Sequence, residues 1–413
     1  MFFSQRINKI CWLLLLTCNS HFLFAQTVFT VFNSGNSPLP DNNIQSLMID
    51  RFGKKWVGTD NGLAVYNDTS WAIYNTSNSG LPNNSVRAIA FDDSDNAWIG
   101  TYFGGLAKFD GSAWTVYNTG NSGLPNDFVK AIDIDSSGNV WVGTGFGFAE
   151  FDGSNWTLWN SGNSIFTSDN IPSLRINKKT NWKYIGTVNG GFAEMDPSNN
   201  ISIYTNGNSN LVDNTINAIA LDTAGYQCLA LPANGFMIHF TSNVWSWYYT
   251  GNANIPTNTL YDVCVDSLNV KYLATLAGLS KFDGVNWTTW DTVNSNIPDN
   301  FVRRVGKERN GTVWVGTPSG LAKMQEGVGV GEMKNDLSLS VYPNPNDGNF
   351  RFNVNGWFAG EGSLKVMDIA GRVLYEEKIR ASQSGLYTQL FPGIYFLEIT
   401  TGARKSVTKF VVK

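Results

Sequence analysis

The chain is poor in the residues from which most catalytic and metal sites are built. Of its 413 residues only four are cysteine and two are histidine, and Cys11, Cys18 and His21 fall within the first 25. Cys228, Cys264 and His239 remain, too few for a disulfide framework or for a Cys/His metal site. The two cysteines fall on strands of adjacent repeats, where one bridge is open to them, but thiols filling core space are the favoured reading. Charged residues make up 15% of the chain and the net charge is −4. No basic cluster exceeds a Lys-Lys or Arg-Arg pair, which excludes nucleic acid held by phosphate neutralisation. No hydrophobic run reaches the ~20 residues that a membrane helix requires, so the mature chain is expected to carry no transmembrane segment.

Aromatic residues, by contrast, reach 14%, with 41 glycines, the composition of a loop-rich all-β protein. The first 25 residues read as an export signal. Arg6 and Lys9 precede an apolar stretch from Ile10 to Thr17, and Ala25-Gln26 supplies the cleavage point.

One phrase recurs seven times between Ile44 and Gly320. An apolar anchor is followed six positions on by an acidic turn residue, then by an aromatic-Val-Gly-Thr run and a Gly-Leu-Ala strand. The central position is Trp56, Trp98, Trp141, Tyr184, Cys228, Tyr272 and Trp314, a step of 42 to 44 residues. A period near 43 with several short β-runs is the signature of a propeller blade. In the second repeat the strands are Val86–Phe91 (A), Ala97–Thr101 (B), Gly105–Phe109 (C) and Trp114–Tyr117 (D), with Asp110-Gly111 as a hairpin signal. The seventh repeat has no strand D, whereas Phe29–Phe32 stands unclaimed at the other end. The expectation is a seven-bladed β-propeller over residues 26–324, closed by this N-terminal strand, which leaves no open sheet edge.

The phrase Asp135-x-x-Gly138-x-x-Trp141-Val142-Gly143-Thr144, with Leu81-Pro82-Asn83-Asn84 leading into strand A, resembles the two-component regulator propeller repeat. The resemblance spans residues 27–324 and fades in repeats four to six, where Gly-Thr becomes Ala230-Leu231 or Ala274-Thr275. In that family the repeats often form the exported sensor half of a membrane kinase. This sequence has no kinase domain, so a signalling role does not carry over.

A Gly-rich linker occupies 325–336, and residues 337–413 begin a new pattern of short strands and Gly/Pro turns, read as a small Ig-like β-sandwich. Its phrases Val341-Tyr342-Pro343-Asn344-Pro345, Leu364–Val373, Pro392-Gly393-Ile394-Tyr395 and Lys409–Lys413 resemble the type IX secretion sorting domain. That resemblance implies the type IX machinery as a partner through 337–413, passage across the periplasm and outer membrane, and a secreted or surface-attached product.

Within a repeat, a position filled alike in every blade serves the fold, and a position that breaks the symmetry is a candidate for function. The residue two before each strand-A anchor is always Asn or Asp (Asn42, Asn84, Asp127, Asp169, Asn214, Asn258, Asn300), which marks an Asx turn at the strand entrance. The strand-D residues Trp71, Trp114, Trp156 and Trp287 read as inter-blade packing. Asp92–Asn96 lacks the twelfth-position Glu of a calcium loop, and His239 falls mid-strand without a visible acid–base partner. No cofactor or metal is implied.

What varies lies around the channel mouth, where D–A and B–C loops meet. One position past the anchors stand Gln45, Arg87, Lys130, Ser173, Asn217, Tyr261 and Arg303. Arg87, Lys130 and Arg303 thus gather beside the loop aromatics Tyr102, Phe103 and Phe146. Cations beside flat rings suit a sugar or an acidic glycan. The expected function is therefore non-enzymatic binding of an extracellular or surface ligand, a glycan or a surface protein. The alternatives are a polysaccharide lyase or hydrolase, and a structural component of the cell-surface attachment machinery.

Overall fold

The computed structural model describes residues 27–241, 243–325, 338–342, 344–355, 361–380, 386–387, 390–401 and 404–413. The export signal with its cleavage point at Ala25-Gln26, and linker residues 326–336, lie outside these. Two compact units are present, one from Thr27 to Glu326 and one in the C-terminal part from Gly327.

Among the described residues the first unit holds seven four-stranded antiparallel sheets. Their innermost strands are Ser46–Ile49, Val86–Phe91, Val129–Ile134, Ser173–Asn177, Ala218–Leu221, Leu260–Val265 and Arg304–Lys307. Each neighbours the next, and the last returns to the first, so the sheets form a ring. In the seventh sheet the outermost strand is Val28–Phe32, which runs antiparallel to Gly320–Gln325 with Val28 opposite Gln325 and Phe32 opposite Leu321. The ring is closed by the N-terminal strand.

The repeated phrase has a physical reason at each position. In blades one to three the acidic residue at the A–B turn accepts two backbone amides on one oxygen and the strand-B indole on the other. Asp50, Asp92 and Asp135 each accept from the Nε1 of Trp56, Trp98 and Trp141 at 3.1 Å, and Glu308 does so from Trp314 at 2.5 Å. The indole therefore brings its ring into the core with its only donor satisfied. The glycine two past the aromatic lies where the next blade's anchor packs. A Cβ on Gly100 would stand 2.4 Å from Val129, and one on Gly316 would stand 2.6 Å from Ile44 across the ring closure. The threonine that follows donates its hydroxyl to the B–C loop carbonyl, as from Thr101 to Gly105 at 2.9 Å.

The invariant Asn/Asp before strand A does not make the expected Asx turn. Its side chain reaches back eight residues to the start of the D–A loop, where Asn84 accepts from the Thr76 amide at 2.9 Å and Asp127 from the Thr119 amide at 2.7 Å. The Asx turn belongs to the preceding residue, with Asn83 accepting from the Ser85 amide. Both serve the scaffold.

His239 takes the place of an aromatic. Its counterparts Tyr66, Phe109, Phe151 and Phe282 stack on a strand-D tryptophan, and its own ring stacks on Trp245 with centroids 4.1 Å apart. Its Nδ1 lies 2.8 Å from Gln227 Oε1, and the side chain is buried. Cys228 and Cys264 are free thiols, and burial pushes them up to about 12 and about 11.

The C-terminal unit is two sheets. Ser338–Tyr342, Asn349–Asn355 and Leu386–Tyr387 make one, and Val373–Arg380, Glu361–Asp368, Gly393–Thr401 and Arg404–Val412 make the other. Alternate residues of both, among them Phe350, Phe352, Leu364, Val366, Leu397 and Phe410, enclose a single core, as in a sandwich. Asn344 and Asn346 of the Pro-Asn-Pro-Asn phrase pin the final strand. Asn344 Oδ1 accepts from the Val411 amide at 2.9 Å, and the Asn346 carbonyl accepts from the Lys413 amide at 2.8 Å.

Candidate functional site

The D–A and B–C loops share one end of the ring, as the amide of Tyr102 donating to the carbonyl of Ser85 shows. Three blades carry a β-bulge there, between Val86 and Ala88, Val129 and Ala131, and Leu260 and Asp262. The residue displaced by each bulge is Arg87, Lys130 or Tyr261. A bulge frees its extra residue from the ladder and re-aims its side chain, so the fold itself turns these groups toward the mouth. In blade four the equivalent residue is Pro172, and Ser173 lies one further, opposite Gly186. The expected register at that blade is therefore corrected by one.

Four of the six candidate residues come together. The Arg87 guanidinium lies over the Tyr102 ring at 5.1 Å, Tyr102 packs on Phe103 and Phe128 at 4.2 and 4.6 Å, and Lys130 lies over Phe128 at 4.5 Å. Arg87, Tyr102, Phe128 and Lys130 thus form a continuous ladder across blades two and three. Phe103 is 61% exposed with φ of 63°, a left-handed conformation that costs a bulky residue energy. Arg303 on blade seven lies outside the ladder, over Phe301 at 4.7 Å, and donates to Asn43 Oδ1 at 2.6 Å; Asn43 in turn donates to Asp60, which links Arg303 to Arg87. Phe146 is 66% exposed and lies outside this ladder.

Sequence reasoning missed Phe128 and Phe301, although both occupy the position just before an anchor, where the other blades carry Asn, Ser or Thr. It also missed Asp60, which joins blades one and two. Asp60 accepts from Asn43 at 2.6 Å, from Gln45 and Ser85 at 2.8 Å each, and from Arg87 at 3.1 Å. Burial would raise its pKa, but these donors outweigh burial and hold the carboxyl below its usual range. Burial pulls Arg87 downward, and Asp60 opposes this. Lys130 is likewise lowered by burial, and its Nζ donates to Asn170 Oδ1 at 2.5 Å. The Asp92 carboxylate in the Asp-rich turn is committed to Ser94, Asn96 and Trp98, and among the described residues no His/Cys/Asp/Glu cluster could hold a metal.

Residues 80–103 and 123–146 match the two component regulator propeller, and residues 340–413 match the secretion system C-terminal sorting domain. No curated protein matches the chain. Among solved structures it is similar to the extracellular domain of the hybrid two component system BT3049 from B. thetaiotaomicron (19% identity, TM-score 0.64, 93% of this chain and 57% of that one). It is also similar to PorZ, a surface component of the type-IX secretion system of Porphyromonas gingivalis (18%, 0.62, 93% and 60%). Virginiamycin B lyase from Staphylococcus aureus shares the propeller (11%, 0.59, 73% and 99%). The chain spans less than two thirds of the length of the first two, and at these identities the likeness is one of fold. The chain is a β-propeller bearing two component regulator repeats, and its C-terminal secretion-system sorting domain marks it for the cell surface or for secretion.

Proposed function

We propose that the propeller is a non-enzymatic binding protein and that its ligand is a carbohydrate seated across the channel mouth. The observation that carries this reading is the Arg87–Tyr102–Phe128–Lys130 ladder, with Phe103 held outward beside it. Aromatic faces accept the C–H faces of a sugar ring, while the part-exposed Asp60 carboxylate, held in place by Asn43, Gln45 and Ser85, offers acceptor positions that hydroxyls can join. Arg87 already faces Asp60, so its cation is partly neutralised, which favours hydroxyl recognition over charge at this point. A glycosidase reading would call for a carboxylate free to give or take a proton at the sugar bond. The partners of Asp60 are instead amides, a serine hydroxyl and a guanidinium.

The test is a glycan array probed with the full mature chain, followed by the double variant Arg87→Ala/Tyr102→Ala. Binding of one glycan class by the parent, weakened at least about tenfold in the variant, is the expected result. A parent that binds no glycan, or that degrades one, overturns the reading. Stable co-purification with surface proteins in place of glycan would instead favour a structural part in the cell-surface attachment machinery.

A further inference from the structure

The inner strands line the channel, and at two of their levels most blades place small or apolar residues. Two positions past the anchor stand Ser46, Ala88, Ala131, Ser173 and Ala218, but Asp262 and Arg304 in blades six and seven. Four past the anchor stand Met48, Ala90, Ala220, Cys264 and Gly306, but Asp133 and Arg175 in blades three and four. Each exception is thus an acid followed by an arginine at the same level of the next blade.

The two acids are already engaged. Asp133 accepts the amides of Ile134 and Ile176 at 2.9 and 2.8 Å, and Asp262 accepts those of Val263 and Val305 at 2.9 and 3.1 Å. They satisfy inner-edge N–H groups that no strand pairs. The arginines are engaged only in part. Arg175 donates Nε to the Ile219 carbonyl at 3.3 Å, and its Nη1 lies 3.9 Å from Asp133 Oδ2, too far for a hydrogen bond. Arg304 donates Nε to the Gln45 carbonyl and Nη1 to that of Arg303.

Below the mouth these arginines join Arg87 and Lys130 around a cavity of about 140 Å³. Asp262 is the one carboxylate in its lining. Beneath it the channel widens into a space of about 340 Å³ that Arg175, Asp262 and Lys307 line together with apolar side chains. We infer that this throat is a binding site for a single anionic group, a sulfate, a phosphate or a carboxylate, with Arg175 and Arg304 as its anchors. Arg87 faces Asp60 and Arg175 lies beside Asp133, while Lys130 and Arg304 are held by an amide oxygen and by carbonyls. The hollow therefore keeps an excess of positive charge, which an oxyanion would neutralise through charge-assisted bonds. Burial draws Arg87 and Arg303 downward, and the charge of Arg304 adds to it. The hollow is well below the roughly 300–1,000 Å³ of pockets for drug-sized ligands, so it holds an end group rather than a second ring.

The inference does not depend on a saccharide at the mouth, and its probe is inorganic. The full mature chain is titrated with sodium sulfate or phosphate against chloride at matched ionic strength, by calorimetry and thermal unfolding. A saturable 1:1 response to the oxyanion is expected, weakened about tenfold or more in Arg175→Gln and in Arg304→Gln. The exposed Lys179→Gln should leave it unchanged. Should either arginine variant fail to fold, Lys130→Gln at the rim gives the second reading, with a smaller loss. Glucuronate compared with glucose reports on carboxylates in the same way. Responses to sulfate, phosphate and glucuronate no larger than those to chloride or glucose, or unchanged binding in every folded variant, would overturn the site.

Discussion

Asp92 accepts the indole N–H of Trp98 through one oxygen at 3.1 Å while its other oxygen accepts the amides of Ser94 and Asn96 at 3.0 and 2.9 Å. One carboxylate thus shapes the A–B hairpin and fixes a core tryptophan. Removing it leaves a mostly buried donor without an acceptor, which costs about 1–3 kcal/mol. Asp92→Ala should lower the free energy of unfolding in guanidinium by that amount. Asp93→Ala, which removes an exposed pairing with Lys178, should stay within about 0.5 kcal/mol.

The same carboxylates set the acid limit of the propeller. Burial would raise Asp92 and Asp266, but for Asp92 the Asn96 and Trp98 donors, and for Asp266 the Lys307 ammonium, outweigh it and hold both below the usual range. A carboxyl with a lower pKa when folded stabilises the fold fully above its unfolded value, about 3.9. That contribution fades as pH falls through the folded value. Asp133 and Asp262, raised by burial, have the opposite slope, so Asn at either should steepen the acid loss. Unfolding midpoints between about pH 2 and 6 check both signs. A midpoint that fell on going from pH 3 to pH 5 would contradict the assignment.

The strand-B glycine is a contact rather than a hinge. A methyl on Gly100 would meet Val129 Cγ1 at 2.4 Å and Cβ at 2.9 Å. Overpacking of this kind costs about 1–3 kcal/mol, so Gly100→Ala should destabilise by that much. Val129→Ala in the same chain should recover part of the loss. Independent, additive losses in the double variant would show that the two residues do not share this space.

The strands of blade two, the ring closure and the sandwich tail could all be read from sequence because each rests on local period and turn chemistry. Relations between blades could not. Arg87 pairs with Asp60, 27 residues earlier, and Lys130 with Asn170, 40 later, and these contacts exist only once the sheets are set around the ring. The bulges at Arg87 and Lys130 leave no mark in the alternation, and Pro172 conceals a one-residue shift in blade four. Phe128 was visible as a symmetry breaker, but only by comparing the position before each anchor across all blades.

The sorting domain is held to its last residues. Lys413 donates its amide to the Asn346 carbonyl, and Phe410 and Val412 lie in the core. Deletion of 338–413 should leave the propeller folded and trap it in the periplasm, as fractionation and surface proteolysis would report. Deletion of 410–413 alone should have the same effect, because it strips the final strand of two core side chains. Unchanged surface exposure of either truncation would refute the assigned route.

The closing strand offers the sharpest test of the ring. Phe29 is buried among Tyr272, Trp290, Ile297 and Met324, and its backbone is clasped by Asn296, which accepts from its amide at 3.0 Å and donates to its carbonyl at 2.6 Å. Phe32 packs against Trp314, Tyr66 and Trp71 with centroids 5.3 to 5.8 Å apart. Five residues thus bind blades six, seven and one. Phe29→Ala should cost about 3–5 kcal/mol, as a buried Phe truncation does, which for a domain of this size lowers the melting temperature by roughly 5–8 °C. Thr30→Ala, on the exposed side of the same strand, should change little. Deleting residues 26–34 should go further than Phe29→Ala, since it also strips the edge from Gly320–Gln325. A peptide of residues 26–34 added in excess should raise the truncated protein's melting temperature in proportion to the logarithm of its concentration. A truncation that melts with the parent, indifferent to the peptide, would mean that the seventh sheet stands without its borrowed strand.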